Sequence, residues 1–306
     1  MRAFTLDSFD LPPGLHDDLP EPRAGEGELL VRVHASSVNP VDVGTAAGLL
    51  KDMLPHELPV TLGRDFAGVV EGIGGGVSGY RAGDEVFGFL PIANPTVHDG
   101  SWAELITVPE DDFVASKPRD VGMAEAGAAP LAAITALAAL DALAPARDET
   151  LLVIGAAGGV GSFFVQLAAQ AGAHVIAPAL ADDADHLREL GVGETFDRKA
   201  DLNASVRERC PDGVDAILDL VNHVPQEALL KDGGRLASTL GAAGDGPQRF
   251  NLVAQPSVAN LRRLAELLDD RILRVHIKQS FELADAAGAL QALSDSHTQG
   301  KLGLAS

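Results

Sequence analysis

Cysteine is nearly missing from this sequence: Cys210 is the only one in 306 residues. A single cysteine excludes an internal disulfide and a zinc lobe built on four cysteines. Long apolar runs are missing too, since no stretch approaches the about 18 residues that mark a membrane-spanning helix. The first residues also lack the apolar segment of a signal peptide. Together these absences favour an enzyme of the cytoplasm with no membrane partner.

Basic residues are scarce as well. The chain has 23 lysines and arginines against 44 aspartates and glutamates, which gives a formal net charge of −21. Such a surface repels nucleic acid and anionic membranes, so no nucleic-acid partner is expected. An anionic cofactor would need local positive potential, which the N-terminus of a helix could supply.

The length of the chain, with 46% hydrophobic residues, is enough for two domains with separate cores. In the N-terminal part, short strand patterns stand between glycine turns at 28–38, 66–73, 84–90 and 102–108. Short strands with frequent Gly and Pro predict an irregular β-barrel. The Ala- and Leu-rich segment 123–143 is expected to be helical.

From residue 151 onward, strand and helix patterns alternate. Strand patterns lie at 151–155, 174–178, 195–197, 214–218 and 235–240, and helix patterns at 162–171, 184–190, 203–209 and 224–230. This alternation predicts an α/β fold with a doubly wound parallel sheet. Beyond it we expect a helix at 257–268, a strand at 273–277, a helix at 283–295 and a last strand from 299.

The most informative segment is 151–161, where four apolar residues are followed by a turn of Gly and Ala and then by a helix pattern. A strand, a glycine turn and a helix in this order point backbone N–H groups and the positive end of a helix at one place, which suits a pyrophosphate. The absent side chain of Gly158 would let a phosphate reach the backbone, and Gly161 would let the helix pack close to the strand. The predicted cofactor contacts here are Ala156, Ala157, Gly158, Gly159, Val160 and Gly161. The alternative is a tight turn that needs glycine only for positive φ.

Short motifs along nearly the whole chain extend this prediction. They are Val-Asn-Pro-Val-Asp at 38–42, Gly-Arg-Asp-Phe-Ala-Gly-Val at 63–69, Gly-Asp-Glu-Val at 83–86, Gly-Ser-Trp-Ala-Glu at 100–104, Thr-Ala at 135–136, the glycine turn at 155–161 and Gly-Lys-Leu at 300–302. With these motifs the chain resembles the medium-chain dehydrogenase/reductase superfamily, in its zinc-independent quinone oxidoreductase-like branch. The resemblance implies a GroES-like catalytic domain from 1–117 and 262–306 around a Rossmann nucleotide-binding domain at 118–261. It also implies that the cofactor lies in the cleft between them.

Zinc enzymes of this superfamily hold their metal with Cys, His and Cys. Aligned on the motifs, those positions carry Asn39, Arg64 and Leu131 here. Leucine cannot ligate a metal, and the other two are not competent zinc ligands. No metal site is therefore expected.

The resemblance implies three catalytic residues: Asn39, Arg64 and Thr135. The amide of Asn39 could donate to a substrate carbonyl in place of zinc, or it could only hold the turn before Pro40. Arg64 could lie near substrate or cofactor, or belong to a structural ion pair. Thr135 would lie beside the nicotinamide, or only bond the backbone of its helix. A structural role is favoured for Asp65.

Family members often carry a Tyr and an Arg shortly after the Val-Asn-Pro segment, where this chain has Gly44, Thr45 and Ala46. The only tyrosine, Tyr80, belongs to the Gly-Asp turn and is expected to be structural. Protons would then come from water. Quinone reduction tolerates this because hydroquinone oxygens protonate easily from solvent.

The residues after the second strand of a Rossmann fold meet the adenosine ribose and decide between NAD and NADP. In this chain 177–183 contain neither Ser nor a cation, and Asp182 lies where NADP enzymes place the cation. Asp182 or Asp183 could instead accept hydrogen bonds from the two ribose hydroxyls, as in NAD enzymes, so Asp182 is a predicted cofactor contact. These local residues favour NAD or weak discrimination, whereas the resemblance favours NADP, for which Arg198 or Lys199 could supply positive charge. We predict NADP, with NAD as the alternative. Further cofactor contacts are expected at strand ends, from Val221, Thr239, Leu240 and Gly241.

The predicted function is hydride transfer from NAD(P)H to a small-molecule quinone or α,β-unsaturated carbonyl. The alternative is a non-catalytic NAD(P)H-binding redox sensor or structural protein of the same fold. The resemblance also implies a homodimer, in which a strand at 274–278 would extend the Rossmann sheet across the interface.

Overall fold

The computed structural model describes residues 1–52, 58–91, 100–254, 256–295 and 297–306. The chain forms two compact units. The first comprises Met1–Leu131, Gln255–Arg271 and Val275–Ser306, and the second comprises Ala132–Ala254 and Ile272–Arg274. Contacts therefore divide the chain near 131 and 255, whereas the domain limits 117 and 262 drawn from the motifs stay a prediction.

The N-terminal part of the first unit is mostly short strands. They are β1 (Ala3–Leu6), β2 (Gly14–His16), β3 (Glu28–Val38), β4 (Val60–Thr61), β5 (Asp65–Ile73), β6 (Glu85–Phe89), β7 (Leu105–Pro109) and β8 (Val114–Ser116), with helices α1 (Pro40–Ala46) and α2 (Met123–Ala128). The strands predicted at 28–38, 66–73 and 84–90 are confirmed.

Strand and helix then alternate. The elements are α3 (Pro130–Leu143), β9 (Thr150–Ile154), α4 (Gly159–Gln170), β10 (His174–Ala179), α5 (Ala184–Leu190), β11 (Glu194–Asp197), α6 (Leu202–Arg209), β12 (Val214–Asp219), β13 (Leu230–Ser238) and β14 (Arg249–Asn251). The C-terminal part adds α7 (Val258–Asp269), β15 (Ile277–Glu282), α8 (Ala286–Asp295) and β16 (Lys301–Ala305).

The second unit is built on a six-stranded parallel sheet. Its strand order is β11-β10-β9-β12-β13-β14. Numbered from β9, this is the order 3-2-1-4-5-6 of a doubly wound dinucleotide-binding fold, whose ligands bind at the carboxyl ends of the strands. The predicted fold class is confirmed for this unit. The switch point lies between β9 and β12.

The first unit contains a three-stranded sheet, β2-β1-β4, and a seven-stranded sheet. The long strand β3 organises the larger sheet, because it pairs with β5 and also with both β7 and β16. Trp102 is fully buried here and donates its indole N–H to the carbonyl of Ser37 at 3.2 Å. Gly63 has φ +89° and lies against this indole, where a Cβ would come within 2.1 Å of a ring carbon. Glycine is therefore required in the Gly-Arg-Asp motif.

Two predicted elements are wrong, and a third is divided. The helix expected at 224–230 is a single 3₁₀ turn, Glu227–Leu229, because β13 already begins at Leu230 to pair with Val214. The helix expected over 123–143 is divided into α2 and α3, since Pro130 begins the second helix and has no N–H to continue the first.

The strand predicted at 273–277 starts only at Ile277. The backbone of Arg274 is bound instead by the Gln166 side chain, which donates to its carbonyl at 3.2 Å and accepts from its N–H at 2.8 Å. From Ile277 onward β15 pairs with β16 in the first unit. The expectation that 274–278 extends the six-stranded parallel sheet is therefore wrong, and the edges of that sheet are β11 and β14.

Among the residues that the structure describes, no helix has the length and apolar character needed to cross a membrane.

Candidate active site

The glycine turn joins β9 to α4 at the switch point of the parallel sheet. Gly155 has φ +91°, a conformation that favours glycine, and a Cβ there would also be tight against Leu220 and Val221, at 3.1 and 3.0 Å. At Gly161, a Cβ would lie 2.2 Å from the Gly155 carbonyl oxygen, which confirms that this glycine lets α4 pack close to the turn.

Gly158 has a different role in the same turn. It is the N-cap of α4, and a Cβ at this position would meet only the Gly155 oxygen, at 3.5 Å. The space in front of it is therefore open to a ligand. Because α4 has twelve residues and begins at Gly159, its first N–H groups and its dipole offer an anion site beside Gly158. The turn fits the pyrophosphate of a dinucleotide.

The ends of β12 and β13 lie beside this turn in the sheet, since Asp219 pairs with both Ile154 and Ser238. Asp219 is buried and accepts hydrogen bonds from the N–H groups of Val221 and Asn222 at 3.0 and 2.9 Å, so it caps the turn. The Ser238 hydroxyl accepts from the Leu240 N–H at 3.0 Å in the same way.

These turns present apolar side chains at the sheet edge. Val221 is 55% exposed and Leu240 is 41% exposed. Thr239 is half-buried, and Gly241 has φ +73°. The strand-end residues predicted to contact a cofactor therefore lie on the same edge of the sheet as the glycine turn.

Beyond β10, a 3₁₀ turn formed by Ala181–Asp183 leads into α5. Asp182 is exposed and Asp183 is buried. The end of β11 lies alongside, since Ala179 pairs with Asp197 and its carbonyl accepts from the Arg198 N–H at 3.0 Å. Arg198, which follows β11, thus lies beside the end of β10, the strand that leads to Asp182.

In the first unit, Asn39 lies in a buried polar cluster. Its backbone caps α1, with the N–H donating to the Asp42 carboxylate at 2.8 Å. Its side chain is buried, with the residue only 3% exposed. The amide nitrogen donates to Asp65 Oδ2 at 2.8 Å and more weakly to Ser37 Oγ at 3.4 Å, and Oδ1 accepts from Lys301 Nζ. The Asn39 side chain therefore bonds the side chains of Asp65, Ser37 and Lys301.

Asp65 is the centre of this cluster. Its Oδ2 accepts from Asn39 and Ser37, and its Oδ1 accepts from the Leu131 N–H at 2.7 Å. Asp65 thus connects two of the three positions, Asn39 and Leu131, that correspond to zinc ligands in the superfamily. The third, Arg64, precedes it in the chain.

Arg64 is itself buried, with Nη1 3.4 Å from the Pro91 carbonyl oxygen. Burial lowers the pKa of its guanidinium, and the attraction of the Asp42 carboxylate opposes this shift. Thr135 is buried inside α3, in the second unit. The structure thus brings Asn39 and Arg64 into one unit and places Thr135 within a helix, as expected for its position.

Asp42 is the least satisfied member of the cluster. It is buried, and its Oδ1 has no hydrogen-bond partner among the residues that the structure describes. Burial raises the pKa of Asp42 to about 7, and Arg64 offsets only part of this rise. Burial also lowers the pKa of Lys301, against the attraction of Asp65 and Asp42.

Lys301 was not among the residues predicted for the site, although its Gly-Lys motif was recognised. Gly300, with φ +65°, makes this approach possible because a Cβ would lie 2.3 Å from the His276 carbonyl oxygen. Lys301 then lies 4% exposed, with Nζ bonded to Asn39 and 3.5 Å from Asp65 Oδ2. The sequence signal was a lysine at the start of an otherwise apolar strand.

Comparison with known proteins supports this geometry. The sequence model of the alcohol dehydrogenase GroES-like domain matches residues 25–119, and that of the zinc-binding dehydrogenases matches residues 190–302. A 2-methylene-furan-3-one reductase of Solanum lycopersicum is 30% identical over 94% of this chain and 74% of its own length. A chloroplast envelope quinone oxidoreductase homolog of Arabidopsis thaliana is 29% identical over 94% of this chain and 92% of its own.

The chain belongs to the medium-chain dehydrogenase/reductase superfamily.

Within the superfamily it belongs to the quinone oxidoreductase-like branch. The solved quinone oxidoreductase of Coxiella burnetii is 29% identical with a TM-score of 0.89, and the match covers 100% of this chain and 99% of that one. A mycobacterial protein solved with NADPH is also 29% identical, with a TM-score of 0.82 and full coverage of both chains. The predicted fold, a Rossmann sheet with a GroES-like domain, is confirmed by these matches.

The donor set does not fit the zinc of the superfamily's alcohol dehydrogenases. Its three positions carry an amide, a guanidinium and an aliphatic side chain, and the amide and Asp65 are already bonded to each other. Among the described residues, no group of three or more His, Cys, Asp or Glu could hold a metal ion.

Proposed function

We propose that this superfamily member is an NAD(P)H-dependent reductase of quinones or α,β-unsaturated carbonyls. The observation that carries the proposal is the glycine turn at the switch point. There Gly155 has a positive φ, Gly161 is sterically required, and Gly158 leaves the start of α4 open to a pyrophosphate. The relatives named as quinone oxidoreductase and as 2-methylene-furan-3-one reductase support the acceptor class.

In hydride transfer the cofactor carries the chemistry, and the protein has to orient the cofactor and the acceptor and stabilise developing charge. A bound NAD(P)H would supply a hydride from C4 of its nicotinamide and would become NAD(P)⁺. The acceptor takes up that hydride and one proton from solvent, which gives a hydroquinone or a saturated carbonyl compound. An oxygen of the acceptor gains negative charge as the hydride arrives, so a hydrogen-bond donor or positive charge beside it lowers the barrier.

Asn39 and Arg64 are proposed to face this oxygen, and Thr135 to lie beside the nicotinamide. Support comes from the long 3.4 Å contact between Asn39 Nδ2 and Ser37, which a substrate oxygen could replace at little cost. Further support comes from the charge of Arg64, which is buried next to Asp65. For the cofactor, the proposed contacts are the glycine turn, Asp182 and the strand-end residues Val221, Thr239, Leu240 and Gly241.

NADP is proposed as the preferred cofactor, with Arg198 as the source of positive charge for the 2′-phosphate. The backbone bond from Arg198 to Ala179 supports this, because it holds the arginine beside the end of β10, the strand that leads to Asp182. The mycobacterial neighbour solved with NADPH supports it as well. A homodimer and a cytoplasmic location also stay proposals.

Separate titrations with NADPH and NADH, followed by oxidation assays with a panel of quinones and enones, test the function. We expect turnover with at least one acceptor and tighter binding of NADPH. Arg198→Ala should weaken NADPH binding by about 10- to 100-fold, the value of a charge-assisted hydrogen bond, and leave NADH binding unchanged. The matched control is Arg188→Ala, which removes an exposed arginine paired with Asp185 in the same unit.

Tight cofactor binding without reduction of any acceptor would contradict the reductase and favour the non-catalytic sensor or structural protein. Equal loss of NADPH and NADH binding in Arg198→Ala would contradict only the assignment of the 2′-phosphate contact.

A further inference from the structure

Lys301 is a buried amine that contacts Asp65 and Asn39, and Asn39 is one of the two residues proposed to face the acceptor oxygen. Its Nζ donates to Asn39 Oδ1 and lies 3.5 Å from Asp65 Oδ2, with the residue 4% exposed. The positive φ of Gly300 and its lack of a side chain allow the backbone before Lys301 to approach His276 closely. The lysine therefore reaches Asn39 from a strand 262 positions away in the sequence.

The contact fixes which way the Asn39 amide faces. A primary amide has an acceptor oxygen at one end and a donor nitrogen at the other, and the two can exchange by rotation. Here the oxygen accepts from the Lys301 ammonium, and the nitrogen donates to the Asp65 carboxylate at 2.8 Å. The rotated amide would set its NH₂ group against the ammonium and its oxygen against the carboxylate. Only one orientation is therefore stable.

The same contact strengthens Asn39 as a donor. A hydrogen bond accepted by the amide oxygen polarises the amide and makes its N–H groups better donors, most of all in a buried site. One of these N–H groups is held by Asp65, and the other has only the 3.4 Å contact to Ser37. Lys301 thus strengthens as a donor the one N–H of Asn39 from which a substrate oxygen could accept a hydrogen bond.

Stability alone does not account for the cluster. Asp42, Arg64, Asp65 and Lys301 are all buried, and burial disfavours the charged form of Asp42, Arg64 and Lys301. Buried ion pairs often stabilise a fold no better than well-packed apolar side chains of the same volume. Burying these charged groups is unfavourable, and their arrangement orients the Asn39 amide. A role in the reaction therefore explains the cluster better than a role in stability does.

We propose that Lys301 is a positioning residue for hydride transfer, which acts by orienting and polarising the Asn39 amide toward the acceptor oxygen. This rests on the proposed function, since it requires an acceptor that gains negative charge. It assigns the Gly-Lys motif to the reaction although Lys301 itself does not touch the substrate.

Lys301→Met keeps most of the length of the side chain and removes the donor. We expect kcat with a quinone to fall by about 10- to 100-fold, as for residues that orient a ligand from behind, while the Kd for NADPH stays unchanged. Lys301→Gln keeps an N–H donor on a shorter side chain and should retain more activity than Lys301→Met. The matched control, Lys231→Met, removes an exposed lysine of the second unit and should leave kcat unchanged.

A double-mutant cycle with Asn39→Ala separates positioning from a structural role. If Lys301 acts through Asn39, then Lys301→Met lowers kcat by less than about 3-fold in the Asn39→Ala background, because there is no amide left to orient. Circular dichroism of each variant confirms that the folded protein is compared, and Lys301→Gln serves if Lys301→Met does not fold.

Unchanged kcat in the folded Lys301 variants, or losses that multiply in the double mutant, would overturn the positioning role while leaving the reductase intact. Absence of turnover in the unaltered protein with every quinone and enone would instead overturn the proposed function, and this inference with it.

Discussion

Asp42 gives the sharpest prediction about stability, because its carboxyl group is buried and one of its oxygens has no hydrogen-bond partner within the described part of the chain. Its pKa is raised from 3.8 to about 7, mainly by desolvation. The unfolded chain ionises Asp42 near pH 4, whereas the folded chain keeps the proton until about pH 7. Between these values the folded state binds more protons, so the contribution of Asp42 to stability falls as the pH rises.

The magnitude follows from the shift. Each pKa unit corresponds to about 1.4 kcal/mol, so a rise of about three units is worth about 4 kcal/mol, present in full below about pH 4 and lost by about pH 8. Of this, about 2 to 3 kcal/mol is lost between pH 5 and pH 8. Asp42→Asn keeps an oxygen for the Asn39 N–H and has no charge to bury. As the pH rises from 5 to 8, the free energy of unfolding of the variant should therefore increase by about 2 to 3 kcal/mol relative to that of the unaltered protein.

Urea unfolding at several pH values measures this difference. Trp102 is the only tryptophan, and it is buried in the same unit as Asp42, so its fluorescence follows the unfolding of that unit. Asp52→Asn, at an exposed turn of the same unit, controls for removal of one negative charge. A difference between Asp42→Asn and the unaltered protein that stays constant from pH 5 to pH 8, or shrinks, would refute the burial argument.

Two further predictions concern the second unit. Gly161→Ala should destabilise it by about 1 to 3 kcal/mol, because the new methyl group meets the Gly155 oxygen at 2.2 Å. Gly158→Ala should cost much less stability but weaken NADPH binding; thermal unfolding and cofactor titration measure both, and equal destabilisation by the two variants would contradict the assigned roles. Gln166→Leu should lower the free energy of unfolding by about 1 to 3 kcal/mol, because it removes two partly buried hydrogen bonds, to the N–H and to the carbonyl of Arg274. Chemical denaturation measures it, and an unchanged midpoint would show that these bonds contribute nothing.

Local patterns predicted the parallel sheet well, because each of its elements is specified by residues close together in the sequence. Strand β9, the glycine turn and α4 follow directly from four apolar residues, glycines and helical spacing. The tight packing at Gly155 and Gly161 adds what the pattern could not contain, namely which atoms come close.

The errors arose where distant pairing decides the structure. The segment 224–230 has residues suited to a helix, but the pairing of Leu230 with Val214 ends it after one turn. Arg274 lies in a strand-like sequence, yet the Gln166 side chain holds its backbone. Neither contact leaves a signal in the local sequence.

The polar cluster of the first unit was predictable only in part. Motifs pointed to Asn39, Arg64 and Asp65, since these residues belong to recognisable segments. The contact of Lys301 with Asn39 joins the two ends of the chain and depends on β16 pairing with β3. Spacing along the sequence carries no information about such a contact, so the orientation of the amide emerged only from the structure.

The central claim is hydride transfer from a nicotinamide to an acceptor, and the fate of an isotopic label tests it most directly. NADPH deuterated at the transferred position of C4 is incubated with the protein and an enone, and the product is examined by mass spectrometry and NMR. The account predicts one deuterium at the β-carbon of the saturated product, with the second new hydrogen coming from solvent. Bound NADPH that is never oxidised, or a reduced product without deuterium at that carbon, would contradict it.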